Sequence, residues 1–374
     1  MAAKKHILIL SSWYPSEQMP FLGNYIQQFS CFMSFQYQIT VISLEKNSEK
    51  SDLVEVSEIN ENLKEVRFYY SNSILKLSKI AAHKRALEFA KTQLDRIHLL
   101  HVNVGLTNWW HFLKFKKALK IPMLYSEHGS FYLYQNFRDL SIYNRLSLKK
   151  LLKSSDCVTA VSEVLVSEMK KNGGNEIYII GNSLPEKWSE LPVVKPDNNG
   201  TYNFLHISTV DRLKNPIGIL KAALILKEKH INNFQLTVLS EEETVELKTF
   251  VESNNLVENV RFLGAHKHDQ LPDIYFQHDC FILNSNYETF SIVLAEALFF
   301  GLHVLSTKVG FLTNSSLAPF DEIEFNNPSS LALKMEEAIK KKKHSGNAGR
   351  KFVKQFSENQ IIQQYTDLYE KLIN

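Results

Sequence analysis

Two carboxylates eight residues apart, Glu288 and Glu296, are the groups whose type and spacing best fit them for chemistry. They lie in Phe281-Ile-Leu-Asn-Ser-Asn-Tyr-Glu288-Thr-Phe-Ser-Ile-Val-Leu-Ala-Glu296-Ala-Leu-Phe-Phe-Gly301, which reads as an apolar strand, a short polar loop and an apolar helix ended by glycine. Glu288 falls in the loop. Ser291 occupies an N-cap position, and its neighbours offer free backbone N–H groups to an anion. The loop is therefore a phosphate seat beside a carboxylate. Glu296 falls inside a helix otherwise made of Ile, Val, Leu, Ala and Phe, where an unpaired carboxylate costs several kcal/mol or changes its protonation. It needs hydroxyl or N–H donors. Spacing alone equally allows an exposed Glu288 and a Glu296 satisfied by neighbouring backbone.

The elements that must position these groups follow from hydrophobic periodicity. Short apolar runs alternate with longer amphipathic stretches, the pattern of βαβ units in a mostly parallel sheet, so the fold class is α/β. The first half predicts strands at Ile7–Leu10, Ile39–Leu44, His98–Val102, Met123–Ser126 and Cys157–Val161, with helices near 24–35, 84–96, 109–118, 143–152 and 163–172. Strand ends such as Ser126-Glu127-His128-Gly129 should line a crevice. A turn-rich stretch with Pro185, Pro192, Pro196 and Asp197-Asn-Asn-Gly200 then reads as a linker. The second half predicts strands at Tyr202–Ile207, Phe234–Leu239, Val260–Phe262, Cys280–Leu283 and His303–Ser306, and helices at 216–229, 242–254 and 291–300. The division is a first domain over 1–184, a linker over 185–201, a second domain over 202–355 and a closing helix over 356–374. That helix opens with the capping box Ser357 and Gln360 and sets Ile361, Tyr365, Leu368 and Leu372 on one face, which requires a surface to pack on.

The segment Ser285-Asn-Tyr-Glu288-Thr-Phe-Ser-Ile-Val-Leu-Ala-Glu296-Ala, with the following Gly301-Leu-His-Val-Leu-Ser-Thr-Lys-Val-Gly310, resembles the donor-site signature of glycosyltransferase family 4. Ser12-Trp-Tyr-Pro15 through Pro20-Phe-Leu-Gly23 resembles that family's first strand-to-helix loop. Asp156 to Glu163, Ile179-Ile-Gly-Asn182-Ser and Val260-Arg-Phe-Leu-Gly264 resemble further motifs, in the same order. The resemblance covers nearly the whole chain. It implies a GT-B fold, two Rossmann-like domains facing across a cleft with the last helix crossing back to the first. It also implies metal-independent transfer, with retention, from a nucleotide-sugar donor.

Carried over residue by residue, His128 and Glu288 touch the donor sugar, and Glu296 accepts from the ribose. Lys214 and the backbone of Thr289, Phe290 and Ser291 hold the diphosphate, and Gly23 lets backbone approach the donor. A cation at the diphosphate is physically required, because its departure builds negative charge in the transition state. The chain departs from the pattern here: Thr209 stands where the family's clamp arginine is expected and Ser208 where a glycine is, leaving Arg212 as the substitute cation. A second departure is the acidic run Ser240-Glu-Glu-Glu243 in place of a glycine-rich turn. The expected acceptor is a hydroxyl of a glycan or lipid-linked saccharide, in cell-surface polysaccharide synthesis. A nucleotide-sugar epimerase of the same fold and a non-catalytic partner subunit, the latter motivated by Thr209, are the alternatives.

Composition narrows the classes further. The chain has 374 residues, 44% hydrophobic and 22% charged, which excludes disorder. The net charge of +3 gives no support to nucleic acid as a partner. Cys31, Cys157 and Cys280 are isolated and signal neither disulfides nor zinc, pointing to a reducing compartment. No G-x-G-x-x-G, P-loop or D-x-D motif occurs, so neither a dinucleotide cofactor nor a metal is expected. His6-Ile-Leu-Ile-Leu10 is too short for a secretory leader, and no run is long enough to span a membrane, so a cytoplasmic protein is expected. Residues 1–184 carry 23 Lys and Arg against 16 Asp and Glu, leaving 20 against 24 for the rest. Lys114, Lys116, Lys117, Lys120, Arg145, Lys149, Lys150 and Lys153, among Phe112, Phe115, Phe131, Tyr132 and Tyr134, form a basic, aromatic-bearing stretch. It suits an anionic acceptor or peripheral contact with the inner face of the cell membrane.

Overall fold

The computed structural model describes residues 4–20, 22–71, 77–193, 200–240 and 244–374, without the side chains of Tyr134 and Gln135. The expectations resting on Phe21, on residues 194–199 and on the acidic residues 241–243 lie outside the described residues. The chain divides into two units, Met1–Ser183 with Glu358–Asn374, and Leu184–Ser357.

The first unit is built on an eight-stranded sheet. Its strands are β1 (His6–Ser11), β2 (Gln38–Lys46), β3 (Val54–Asn60), β4 (Leu63–Tyr70), β5 (Ile97–Asn103), β6 (Met123–Glu127), β7 (Cys157–Ala160) and β8 (Tyr178–Ile179), in the order β3-β4-β2-β1-β5-β6-β7-β8. Every pair is parallel except β3 with β4. All six residues of β1 are buried, as an apolar strand covered on both faces should be. The β3–β4 hairpin and the start of the next helix, Leu77–Thr92, carry no sequence assignment. The reason is physical: β3 is exposed throughout on the sheet edge, so it lacks the apolar contrast that marks a strand.

The second unit has a six-stranded, wholly parallel sheet. Its strands are β9 (Tyr202–Ile207), β10 (Phe234–Leu239), β11 (Val260–Leu263), β12 (Cys280–Leu283), β13 (His303–Ser306) and β14 (Asp321–Glu322), in the order β11-β10-β9-β12-β13-β14. The start of the segment read as a linker is not a free tether. Glu186–Trp188 form a 3-10 turn, and Trp188 is buried against Phe299, Phe300 and His268 within this unit. A large aromatic overrides the turn composition around it.

The closing helix, Glu358–Ile373, packs in the first unit on the helix Asn24–Met33 and on β5. Ile361, Tyr365 and Leu368 of its stripe are buried, joined by Tyr369. The Tyr369 hydroxyl lies 2.6 Å from Nδ1 of the buried His101, whose Nε2 lies 2.7 Å from Ser126 Oγ. Glu370 accepts from Tyr37 at 2.9 Å and from Lys5 at 2.6 Å. In each sheet the strand order reverses beside the first strand, between β1 and β5 and between β9 and β12. Loops leaving neighbouring strands there diverge and open a crevice at the carboxyl edge.

Candidate functional site

In the second unit that crevice lies between the loops following β9 and β12. His206, fully buried in β9, donates from Nδ1 to the Ile282 carbonyl of β12 at 2.9 Å and accepts at Nε2 from Ser208 Oγ at 2.7 Å. Burial lowers its pKa to about 4, so it is a neutral strut at pH 7. Beyond Ser208, Asp211 accepts from Thr209 Oγ1 and from the Lys214 N–H, both at 2.9 Å, which shapes the turn carrying Lys214. The Asn286 N–H donates to the Leu213 carbonyl at 2.8 Å and ties the two loops together. The result is an ion pair: Lys214 Nζ lies 2.6 Å from Glu288 Oε1, which also accepts from Ser285 Oγ at 2.8 Å. The two side chains are only 21% and 10% exposed, so a cation and a carboxylate meet at the mouth of the sheet with little screening by water.

The residues after Glu288 differ from their expected roles in two respects. Ser291 precedes the helix Ile292–Phe299, but at φ 73° and ψ 80° its side chain makes no capping bond, and the buried Oγ has no partner among the described residues. A left-handed serine holds about 1–2 kcal/mol of strain, of the kind found where a ligand completes the structure. Phe290 is buried against Phe311 and Phe356, so its side chain anchors the loop and only its backbone is available to a donor. Gly310 makes that packing possible, since at φ 57° a Cβ would sit 2.3 Å from the Phe290 carbonyl oxygen. Thr289 is half-buried beside it.

Glu296 has the donors its burial demands, and they come from the protein. It is 1% exposed, with Oε1 2.7 Å from His268 Nε2 and Oε2 accepting from the Tyr275 hydroxyl at 2.7 Å. The expected ribose acceptor therefore has both oxygens engaged. Arg212, among the described residues, makes no ion pair with Glu288, whose cation is Lys214. It is exposed and lines a separate hollow of about 380 Å³ with Asn215, Glu246, Phe325 and Asn326.

In the first unit, β6 ends in Glu127, a fully buried carboxylate that organises the loop bearing His128. Its Oε1 accepts from the N–H groups of His128 at 2.9 Å and Gly129 at 2.7 Å. Its Oε2 accepts from the Gly105 N–H at 3.4 Å and from the Tyr125 hydroxyl. Desolvation pushes its pKa above the ordinary value, against these four donors. The preceding Val104 is left-handed at φ 57°, strained for a β-branched residue. His128 lies against the Tyr25 ring at 4.5 Å, and its Nδ1 lies 3.1 Å from Asn182 Oδ1. An amide oxygen only accepts, so Nδ1 carries the proton and Nε2 is left as an acceptor. Burial lowers the His128 pKa to about 4. A cavity of about 20 Å³, room for one water, is lined by His128, Tyr25, Asn103 and Tyr365. Gly23 is left-handed at φ 72° and a Cβ there would meet the Trp13 carbonyl at 2.5 Å, so the turn requires glycine on its own account.

Two family models divide the chain between them. The model "Glycosyltransferase Family 4" matches residues 23–186 and the model "Glycosyl transferases group 1" matches residues 189–358. The chain belongs to the family 4, group 1 glycosyltransferases. An uncharacterized glycosyltransferase of Methanocaldococcus jannaschii is 26% identical over 285 residues, 74% of this chain and 76% of the relative. Among solved structures, sucrose-phosphate synthase of Thermosynechococcus elongatus superposes with a TM-score of 0.79 at 16% identity, covering 99% of each chain. HepE of Anabaena, in complex with UDP and glucose, gives 0.75 at 15% identity over 99% of this chain and 100% of its own. The fold of this glycosyltransferase is GT-B.

The basic stretch of the glycosyltransferase lies on the helices Trp109–Leu119 and Ile142–Ser154, which pack together. Lys117, Lys120, Lys150 and Lys153 are exposed and Arg145 is half-buried. Lys114, Lys149 and Lys150 lie over the rings of Trp110, Phe137 and Trp109. Lys116 does not belong to the free surface: its ammonium is held by Asp156 at 2.7 Å and the Ser154 carbonyl at 2.6 Å. Sequence reasoning missed the exposed Ile142, Tyr143 and Leu146 beside this patch. It also gave no role to Glu127, Tyr25, His268 or Tyr275. Glu127 stood beside His128 in the quoted motif, and a carboxylate closing a buried strand was the signal for it. His268 carried none, because its partner lies 28 residues away.

Proposed function

We propose that this glycosyltransferase moves a sugar from a nucleotide-sugar donor to a hydroxyl of a glycan or lipid-linked acceptor, with retention at the anomeric carbon and without a metal ion. The observation that carries the reading is the Lys214–Glu288 pair at the reversal point of the second sheet, 2.6 Å apart and mostly buried. Lys214 supplies the positive charge that a departing diphosphate needs, and the first-turn N–H groups of the helix Ile292–Phe299 add hydrogen bonds that helix geometry leaves unfilled. Ser291 Oγ, buried without a partner among the described residues, is a further donor for that anion. Glu288 Oε2 makes no hydrogen bond among the described residues and is the acceptor for a sugar hydroxyl. His128, neutral at pH 7, accepts a substrate hydroxyl at Nε2. HepE, a structural relative, binds UDP and glucose, which supports a nucleotide-sugar donor for the same fold.

The acceptor side of the proposal rests on the basic helices. Exposed Ile142, Tyr143 and Leu146 rimmed by Lys149, Lys150 and Lys153 suit the interface of an anionic bilayer, which supports peripheral contact with the inner face of the cell membrane. No helix among the described residues is long and apolar enough to cross a membrane, so contact through helices would be peripheral. The test is incubation with UDP-, GDP- and ADP-sugars in EDTA, with and without glycan and lipid-linked acceptors. Acceptor-dependent release of nucleoside diphosphate supports the reading. Isomerised donor without acceptor would establish an epimerase, and nucleotide binding without turnover would establish a partner subunit.

A further inference from the structure

We infer that the hollow lined by Arg212 is a second carbohydrate-binding site, which holds one sugar unit of the glycan acceptor apart from the unit that reacts. The inference rests on the glycan-acceptor reading above. The hollow lies wholly within the second unit, beside the N-terminal ends of the helices Pro216–Glu228 and Val245–Ser253 and the residues leading into Pro328–Lys341. The first of these helices packs against both of the others, which gives the hollow a packed floor. At about 380 Å³ it falls at the small end of the range for small-molecule sites, roughly 300–1,000 Å³. One or two sugar rings match that size.

The lining selects the class of ligand. Arg212 and Glu246 are exposed, and neither makes a hydrogen bond or ion pair among the described residues. Asp211 adds a second carboxylate to the same wall. Two carboxylates disfavour an anion and the guanidinium disfavours a cation, so the wall suits a neutral ligand that both gives and takes hydrogen bonds. A sugar does both at every hydroxyl. Asn215 and Asn326 add amide groups that meet at 3.5 Å, the long limit of a hydrogen bond. Asn215 Oδ1 is committed to the Gly218 N–H at 3.2 Å, which leaves its NH2 group and the amide of Asn326 for a ligand. Phe325, 39% exposed, supplies an aromatic face, with Ile217 and Leu247 lining the same hollow. The negative face of such a ring receives the C–H face of a pyranose, while the hydroxyls meet the polar wall. The turn over 209–215 therefore gives one cation, Lys214, to Glu288 and the other, Arg212, to the hollow.

The experiment is saturation-transfer NMR with the methyl glycosides of glucose, galactose, mannose and N-acetylglucosamine, on the wild type and on Phe325→Ala, Glu246→Gln and Arg212→Ala. All three side chains are exposed, so the variants should melt like the wild type. At least one glycoside should bind the wild type, with saturation strongest on its ring C–H protons. Each variant should weaken that glycoside by roughly tenfold, the scale of one stacked ring or one hydrogen bond to a charged group. Affinity for the nucleotide sugar that shifts the wild-type melting temperature should stay unchanged in Phe325→Ala and Glu246→Gln. Binding of no glycoside, or equal affinity in all three variants and the wild type, overturns the inference. Displacement of the glycoside by inorganic phosphate, abolished in Arg212→Ala, would overturn it in favour of an anion site. A tenfold loss of donor affinity in Arg212→Ala would overturn it by returning that residue to the donor. A wild type that binds no donor, yet binds a glycoside through Phe325, refutes the donor reading and still supports this site.

Discussion

Glu127 is the sharpest place to perturb the first unit, because its four hydrogen bonds divide between loop and core. Oε1 serves the His128 and Gly129 N–H groups, and Oε2 serves Tyr125 and, weakly at 3.4 Å, Gly105. In Glu127→Gln the amide keeps its oxygen on the loop and turns its NH2 toward Tyr125. One charge-assisted bond is lost, a cost of about 1.5–3 kcal/mol. At roughly 2–4 °C per kcal/mol for a unit of this size, the melting temperature should fall by about 3–12 °C, with kcat close to wild type. In Glu127→Leu both loop N–H groups are orphaned at about 1–3 kcal/mol each, and nothing then holds His128 against Tyr25. Turnover should fall by about 10²-fold or more, the scale for losing a positioned acid–base group. The assay is steady-state transfer in Glu127→Leu, His128→Ala and the double variant, alongside thermal melts. If Glu127 acts through His128, the double variant is no slower than His128→Ala. A folded Glu127→Leu with wild-type kcat, or a double variant that multiplies the two losses, refutes the reasoning.

Three further outcomes follow. Lys214→Ala removes the cation from a carboxylate that is 10% exposed and should lower turnover by about 10²-fold with weaker donor binding; unchanged donor affinity by calorimetry would remove Lys214 from the site. Burial lowers the pKa of His83 and His101 to about 3 and of His206 and His278 to about 4, from 6.5. Their folded-state pKa values lie below the unfolded one, so their contribution is complete above pH 6.5 and is lost as pH falls toward 4. About 2 kcal/mol per imidazole should go between pH 6.5 and 5, read as a falling melting temperature; a flat profile would contradict it. Lys149→Glu with Lys150→Glu should reduce co-sedimentation with phosphatidylglycerol vesicles by tenfold or more, at about 1 kcal/mol per charge, and leave the melting temperature unchanged; equal binding to zwitterionic vesicles would argue against the surface.

Much of this organisation was legible in the chain, for identifiable reasons. Strands covered on both faces, such as Ile7–Leu10 and Cys280–Leu283, are unbroken apolar runs bounded by polar residues, and their burial is as complete as those runs demand. The stripe of the last helix announced a surface it did not name, and the helix Asn24–Met33 with β5, whose His101 meets Tyr369 of the stripe, supplies it. What escaped was set by partners distant in sequence. Nothing near Glu296 discloses that His268 and Tyr275 each hydrogen-bond one of its oxygens, and nothing in Arg212 discloses that it lines a hollow with Asn215, Glu246 and Phe325. Ser291 reads as an ordinary cap, yet it is left-handed and its side chain makes no capping bond. The exposed β3 strand and the apolar residues Ile142 and Leu146 escaped for the converse reason, since apolar periodicity reports only what is buried within the chain.

The central claim is that the Lys214–Glu288 crevice receives a nucleotide sugar. The most direct measurement is a thermal-shift titration of the wild-type protein with UDP-, GDP- and ADP-sugars in EDTA, repeated on Lys214→Ala. One donor should raise the melting temperature progressively with the logarithm of its concentration, by about 2.7 kcal/mol of stabilisation at a hundredfold excess over Kd, and Lys214→Ala should need at least tenfold more donor for the same shift. No response of the wild type to any donor, or an undiminished response in Lys214→Ala, would contradict the account.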